Sequence, residues 1–114
     1  NGWNNSLLSY LRDVRKCETL FNSTLFRPPH GRMSNKQRAV LSKEFKVIMW
    51  DVLSGDFDTS LSGESCAEAV IDNRTNGSII VFHDSKKAAE RLKTALPIVL
   101  ETLSAQGYSL IAIE

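Results

Sequence analysis

Apolar residues along this chain alternate between helical spacing and short continuous runs. Helical spacing over residues 6–20 predicts an amphipathic helix with charged residues on its outer face. Ser34 followed by Gln37 fits a capping box, which predicts a second helix of about ten residues. A third helix is predicted around residues 66–71, with Asn76-Gly77 as its stop.

The last helical segment is predicted from about Lys86 to Ala105. Pro97 lies inside it, and a proline can occupy the first turn of a helix or kink a longer one. The pattern therefore leaves two interpretations open, which are one kinked helix and two helices with the second beginning near Thr94.

Four short apolar runs predict strands near residues 24–27, 45–50, 79–83 and 108–113. The residues between the second and third runs, 51–63, are predicted to form a polar loop. Because the strands alternate with helices, the order predicts an α/β fold with parallel strands, right-handed crossovers and helices packed outside.

The third apolar run ends abruptly in His83-Asp84-Ser85. Ligands of α/β folds are usually bound at the carboxyl ends of strands, so this position predicts a functional site. The competing interpretation is a satisfied core histidine beside Asp84, an aspartate that caps the next helix. The stretch alone does not decide between them.

Composition and charge give no support to two classes of partner, nucleic acid and membranes. The chain has 114 residues and a formal net charge of +1, which gives no electrostatic reason to expect nucleic acid or an anionic membrane as a partner. Its apolar runs are all far shorter than the roughly 20 residues of a membrane span.

Three motifs together resemble those of one family, the NodB-type polysaccharide deacetylases of carbohydrate esterase family 4. Residues 26–31, Phe-Arg-Pro-Pro-His-Gly, resemble its Arg-Pro-Pro-Tyr-Gly motif. Residues 50–57 resemble its Trp-x-x-Asp-x-x-Asp-Trp motif, and residues 80–84 its final apolar-His-Asp motif. The order and spacing match, and so does the tail, where Ala-Leu-Pro leads to Gly107-Tyr108.

The resemblance also implies what this stretch lacks. The family begins with a Thr-Phe-Asp-Asp motif and a His-x-x-x-His motif, which supply the catalytic base and the metal ligands, and neither occurs here. Asn1-Gly2-Trp3 looks like the turn that follows the second motif. Residues 1–114 are therefore expected to be the C-terminal part of the catalytic domain. The expected fold is half to two-thirds of a distorted parallel (β/α) barrel, with four strands and outer helices.

The activity implied by the resemblance is metal-dependent hydrolysis of N-acetyl or O-acetyl groups on a polysaccharide such as chitin, peptidoglycan or xylan. A divalent metal of the zinc or cobalt type is expected in the full-length parent, with ligands outside this chain, so the chain alone is expected to be inactive. The implied partners are an N-acetylated glycan and the N-terminal half of the domain, and self-association is expected because a partial barrel leaves open strand edges. The family suggests an extracytoplasmic location.

Roles carry over residue by residue. His83 matches the general acid, Asp56 the aspartate that supports its imidazolium, and Arg27 the arginine that tethers the catalytic base. The main-chain N–H of His30 matches an oxyanion donor. The expected groove also includes Pro29, Gly31, Trp50, Phe57 and Val81.

This sequence departs from the family at three of its motif positions. Leu53 replaces the first aspartate of its motif, Phe57 replaces a tryptophan and His30 a tyrosine. A second hypothesis, a non-catalytic carbohydrate-binding or structural relative, is supported by Leu53, Phe57 and the missing metal motifs.

A third hypothesis is an unrelated half-flavodoxin-like α/β domain, which predicts a closed sheet and no convergence of Arg27, Asp56 and His83. Separately, the alternative interpretation of Asp56 is a solvated loop residue.

Overall fold

The computed structural model describes residues 6–114, and the expected turn at Asn1-Gly2-Trp3 lies outside this range. The chain divides into two compact units, residues 1–49 with Glu114, and Trp50–Ile113. The elements in order are α1 (Leu7–Phe21), β1 (Leu25–Phe26), a 3₁₀ turn (Pro29–Gly31), α2 (Asn35–Leu41), β2 (Lys46–Val47), β3 (Val52–Leu53), α3 (Gly63–Asn73), β4 (Ile80–Val81) and α4 (Ala89–Ala105).

The first unit contains α1, β1, α2 and β2. Strands β1 and β2 are parallel, with Leu25 opposite Lys46 and Phe26 opposite Val47. The predicted first helix is confirmed, and the Ser6 side chain caps it by accepting a hydrogen bond from the Ser9 N–H at 3.3 Å. The core of this unit is a cluster of four buried side chains, Tyr10, Val14, Leu41 and Phe45.

The predicted capping box of α2 is present. Ser34 Oγ accepts from the Gln37 N–H at 3.2 Å, and Gln37 Oε1 accepts from the Ser34 N–H at 2.7 Å. The helix is shorter than predicted, with seven residues. The Phe45 N–H donates to the Leu41 carbonyl at 2.8 Å, and this turn brings the Phe45 side chain into the core instead of continuing the helix.

The second unit contains β3, α3, β4 and α4. Strands β3 and β4 are parallel, with Val52 opposite Ile80 and Leu53 opposite Val81. Its core is formed by seven buried residues, Val52, Cys66, Ala67, Val70, Ala95, Val99 and Leu103. Both units therefore combine helices with parallel strands, which confirms the α/β class.

The strand predictions need three corrections. The strand predicted at 45–50 is reduced to β2 (Lys46–Val47), and β3 lies inside the segment predicted to be a loop. Residues 108–113 form no strand among the described residues, which make two sheets of two strands each. A strand exists only where a partner accepts its ladder of hydrogen bonds, and an apolar run reports suitability for a strand, not the presence of a partner.

Two helix predictions are also corrected. Helix α3 ends at Asn73, and Gly77, with φ of +79°, belongs to the following turn, in which the Ser78 N–H donates to the Thr75 carbonyl. Helix α4 runs unbroken through Pro97, so no second helix begins near Thr94. Burial of one face of α4 in the core stabilises the helix across the proline, which local propensity alone would not do.

No helix formed by residues 6–114 is long and apolar enough to cross a membrane.

Candidate functional site

The second unit brings two loops together at the carboxyl ends of its parallel strands. The Ser54 N–H donates to the Val81 carbonyl at 3.1 Å, so the chain after β3 runs beside the chain after β4. On the other side of β3, the Asp51 carboxylate accepts from the Ile79 N–H at 2.6 Å and from the Ser78 hydroxyl at 2.8 Å. The strands β3 and β4 are thus hydrogen-bonded to each other at both ends, which fixes the positions of the two loops that follow them.

Asp56 and His83 meet at this edge. One Asp56 carboxylate oxygen lies 2.7 Å from His83 Nδ1, and the other accepts from the His83 main-chain N–H, also at 2.7 Å. Asp56 is fully buried, whereas the His83 side chain is 37% exposed. The structure therefore excludes the solvated-loop interpretation of Asp56 and brings together the two residues that the motifs paired.

The environment of Asp56 favours its ionised form. Burial by itself raises the pKa of this carboxyl group, but the hydrogen bonds from the main chain and ring of His83 and from Ser54 outweigh it and hold the pKa below its ordinary value. With Nδ1 directed at the carboxylate, Nε2 is the ring nitrogen left for proton transfer to a ligand. The pair can thus hold a proton at Nε2 and support the resulting positive charge.

The predicted groove residues of this unit have different environments. The Phe57 ring is 42% exposed and contacts the His83 ring edge to face, with 5.4 Å between ring centroids. Trp50 is half-buried just before β3. Val81 is 3% exposed, so its side chain packs inside the unit and does not line a groove, which corrects its predicted role. Leu53 is exposed on β3.

The other predicted site residues belong to the first unit. Arg27 is exposed and directly follows β1, and the 3₁₀ turn over Pro29, His30 and Gly31 comes next. His30 has φ of +57°, a left-handed conformation that is unusual for a residue with a side chain. The turn is closed by the Gly31 N–H, which donates to the Pro28 carbonyl at 2.9 Å. The roles predicted for these residues stay predictions.

The competing interpretation expected Asp84 to cap the following helix, and this expectation is wrong. Helix α4 begins at Ala89, its cap position is Ala88, and Ser85 Oγ accepts from the Ala88 N–H at 3.3 Å. The turn between the site and α4 is thus stabilised by a serine, and Asp84 is exposed beside His83.

Arg91 contacts the site but was not predicted from the sequence. Its Nε–H donates to the Asp56 carbonyl at 2.7 Å, and the side chain is buried. One signal could have found it. Arg91 is the only charged residue among the buried residues of α4, and the others are Ala95, Val99 and Leu103.

The described residues do not fit a metal. Residues 6–114 contain no group of three His, Cys, Asp or Glu side chains that could hold an ion. Neither of the two histidines, His30 and His83, takes part in such a group. What the paired side chains of Asp56 and His83 can contribute is the holding and transfer of a proton, because they contact each other directly.

Known proteins resemble this chain over most of its length. No protein-family model matches it. It is 26% identical over 91 residues to the peptidoglycan-N-acetylglucosamine deacetylase of Bacillus cereus and 26% identical over 88 residues to a bifunctional xylanase/deacetylase of Pseudobutyrivibrio xylanivorans. These alignments cover 78% and 77% of the chain but only 43% and 14% of the relatives, so the chain spans less than half the length of either.

Solved structures agree with the sequence relatives. A family 4 carbohydrate esterase from Streptomyces lividans, in complex with acetate, superposes with a TM-score of 0.63 at 32% identity, over 78% of this chain and 45% of that one. A peptidoglycan deacetylase from Bacillus subtilis, solved as a point mutant, gives a TM-score of 0.77 over 96% of this chain and 54% of that one. At 23% identity this second likeness shows the fold alone. The predicted resemblance to the NodB-type deacetylases of carbohydrate esterase family 4 is confirmed.

Proposed function

We propose that this chain, a relative of the family 4 carbohydrate esterases, supplies the general-acid part of a site that hydrolyses acetyl groups on a polysaccharide. The observation that carries the proposal is the contact of 2.7 Å between His83 Nδ1 and the fully buried Asp56 carboxylate. A buried carboxylate that orients a partly exposed imidazole is one arrangement that supports acid–base catalysis.

His83 is the proton donor in this proposal. Amide hydrolysis needs a proton on the departing amine, and an imidazolium is a general acid that can deliver one. Asp56 stays ionised, since its pKa is held below the ordinary value, and its negative charge stabilises the imidazolium before the transfer. The proton leaves from Nε2, and Nδ1 keeps its hydrogen bond to the carboxylate throughout.

Further roles in the proposed function follow the family resemblance. Arg27 orients the catalytic aspartate of the family, and the main-chain N–H of His30 donates to the oxyanion. Trp50 and Phe57 form groove walls, a proposal supported by the exposed Phe57 ring against His83. Residues outside 6–114 would hold the divalent metal of the family, which would supply Lewis-acid polarisation of the acetyl carbonyl.

We further propose that residues 1–114 are the C-terminal portion of a deacetylase domain with a partial (β/α) barrel. The structural likenesses support this, because both cover only about half of the solved chains. The names of the sequence relatives favour an N-acetylglucosamine polymer such as peptidoglycan as substrate, with acetylated xylan as the alternative. Such substrates agree with an extracytoplasmic location.

The decisive experiment measures acetate released from N-acetylglucosamine oligomers by the complete protein that contains this chain. His83→Ala should reduce turnover by roughly 10²–10⁴-fold, the usual range for the loss of a general acid. Adding zinc or cobalt should restore activity to chelator-treated protein, and the 114-residue chain alone should stay inactive with either metal.

Asp84→Ala is the matched control, since this exposed carboxylate is next to His83 but contributes nothing to the proposed acid. Its turnover should equal that of the unchanged protein. Acetate release that survives His83→Ala would overturn the assigned role. A complete protein that binds the oligomers without releasing acetate would favour the non-catalytic carbohydrate-binding hypothesis.

A further inference from the structure

Arg91 is a buried cation at a position where the helix pattern calls for an apolar residue. Ala88 at the cap position and Ala95 on the inner face of α4 are completely buried, and Arg91 itself is 8% exposed. Burial of a guanidinium is costly unless its donors are satisfied. The contacts that satisfy it therefore indicate why an arginine is tolerated there.

The guanidinium joins two separate pieces of main chain. Its Nε–H donates to the Asp56 carbonyl at 2.7 Å, and a terminal N–H donates to the Lys87 carbonyl one helical turn earlier. The planar fork of an arginine presents donors in fixed directions, so it can reach both carbonyls at once. Arg91 thereby fastens the loop of Asp56 to α4, the long helix that forms one wall of the core.

Arg91 contacts the main chain of Asp56, whereas the side chain of Asp56 accepts hydrogen bonds from His83. Both carboxylate oxygens of Asp56 accept from His83, one from the ring and one from the main chain. A shift of the Asp56 main chain would therefore move the imidazole. Asp58 also interacts with this guanidinium: its pKa is lowered mainly by hydrogen bonds from Ser60, and the charges of Lys87 and Arg91 lower it by smaller amounts.

We propose that Arg91 is a positioning residue: by holding the Asp56 main chain against α4, it sets the orientation and tautomer of the His83 ring. The effect on catalysis rests on the proposed function. The effect on the His83 ring depends only on the contacts among Asp56, His83 and Arg91. In the arrangement described, the neutral His83 ring carries its proton on Nδ1 and donates it to Asp56. Free imidazole has no such constraint, so loss of the fastening should mix the two tautomers.

The test is nitrogen-15 NMR of the His83 ring in the complete protein, at a pH where the ring is neutral. The unchanged protein should show His83 almost wholly in the Nδ1–H tautomer. Arg91→Met keeps the length and apolar stem of the side chain but removes both donors, and it should give a mixture with a substantial Nε2–H fraction. In the complete protein, the same change should lower kcat by about 10- to 100-fold with KM nearly unchanged, because a small misplacement of a catalytic group costs up to about that much.

The matched control is Arg74→Met. Arg74 is the other partly buried arginine of this unit, but it contacts Gln106 at 3.0 Å and the face of Tyr108, away from Asp56. It should leave the His83 tautomer unchanged. If Arg91→Met does not yield folded protein, Arg91→Lys decides, since an ammonium reaches only one of the two carbonyls and should give an intermediate mixture.

An unchanged Nδ1–H tautomer in a folded Arg91 variant would overturn the inference, whatever the activity. Failure of the proposed function has a different signature, which is full acetate release by His83→Ala in the complete protein. The tautomer measurement does not depend on turnover, so the two outcomes are distinguishable.

Discussion

Asp56 is a buried ionised carboxylate whose cost of burial is offset by hydrogen bonds. Removing a carboxylate from water costs several kcal/mol, and only good hydrogen bonds offset that cost. Here the His83 main chain and ring each approach a different carboxylate oxygen at 2.7 Å. Because charge-assisted bonds of this length are about twice as strong as neutral ones, the ionised form is retained inside the protein.

Asp56 should make the stability of the second unit depend on pH. Its pKa is lower in the folded protein than in the unfolded chain, so its contribution is complete above the ordinary carboxyl pKa of about 3.9 and is lost as pH falls below that value. At pH 7, Asp56→Ala should lower the free energy of unfolding by about 1–3 kcal/mol, because it leaves a partly buried His83 donor unsatisfied. Urea unfolding at pH 7 and pH 3 measures the effect.

The difference between the unchanged chain and Asp56→Ala should shrink at pH 3. Asp84→Ala, which alters an exposed carboxylate, should change the free energy of unfolding by less than about 0.5 kcal/mol at either pH. A difference for Asp56→Ala that is the same at both pH values would contradict the assigned pKa direction.

At the scale of elements, α3 and α4 approach so closely that one glycine is required between them. A Cβ atom added to Gly63, the first residue of α3, would lie 2.4 Å from Thr94 Cβ and 2.7 Å from its methyl carbon. Helix α4 is a rigid wall here, since Ala95, next to Thr94 in the chain, and Val99 both belong to the core. The glycine therefore sets the separation of the two helices that support the site.

Gly63→Ala should destabilise the chain by about 1–3 kcal/mol, the usual cost of overpacking, even though alanine is the better helix former. Thr94→Gly removes the clashing atoms, so the double variant should be more stable than the sum of the two single changes predicts. Thermal or urea unfolding of the four proteins gives this coupling energy directly.

Gly77→Ala is the comparison for backbone strain, because Gly77 has φ of +79° but no atom within 4 Å of an added Cβ. Its cost should come from conformation alone, about 1–2 kcal/mol, and Thr94→Gly should not relieve it.

Additive effects of Gly63→Ala and Thr94→Gly would contradict the prediction for Gly63, because they would show that the two helices separate without cost.

At the scale of the whole molecule, the chain presents several large apolar side chains to solvent. On α1 alone, Leu8, Leu20 and Phe21 are 80%, 78% and 73% exposed. Each two-stranded sheet also has edges that are not paired among the described residues. Exposed apolar patches and open edges are the features that recruit partners or cause aggregation.

The 114-residue chain should therefore self-associate. Sedimentation equilibrium over a range of concentrations should give a weight-average mass that rises above the monomer mass of 12.7 kDa. Replacing Leu20 with Glu and Phe21 with Lys leaves the net charge unchanged and should reduce this association. The matched control on the same helix, Ser9→Glu with Thr19→Lys, alters polar positions at constant net charge and should not. A monomer at every concentration would contradict the prediction.

The sequence by itself determined the features that depend on residues close together in the chain. The helical spacing of residues 7–21 and the Ser34–Gln37 capping box act through contacts three or four residues apart, so the pattern carries them completely. The alternation of helices and strands predicted parallel pairing, and the two observed pairs are parallel. The contact of Asp56 with His83 spans 27 residues, and only the motif resemblance predicted it.

Tertiary structure decided what depends on distant partners. Val52 and Leu53 become a strand because Ile80 and Val81 lie beside them, whereas the longer, mainly apolar run 108–113 forms none among the described residues. Gly63 matters because Thr94 is there, and Arg91 because the Asp56 carbonyl is there. Apolar pattern and propensity describe what a residue can do, but a hydrogen bond or a close contact requires the second group, and its position is set only when the chain has folded.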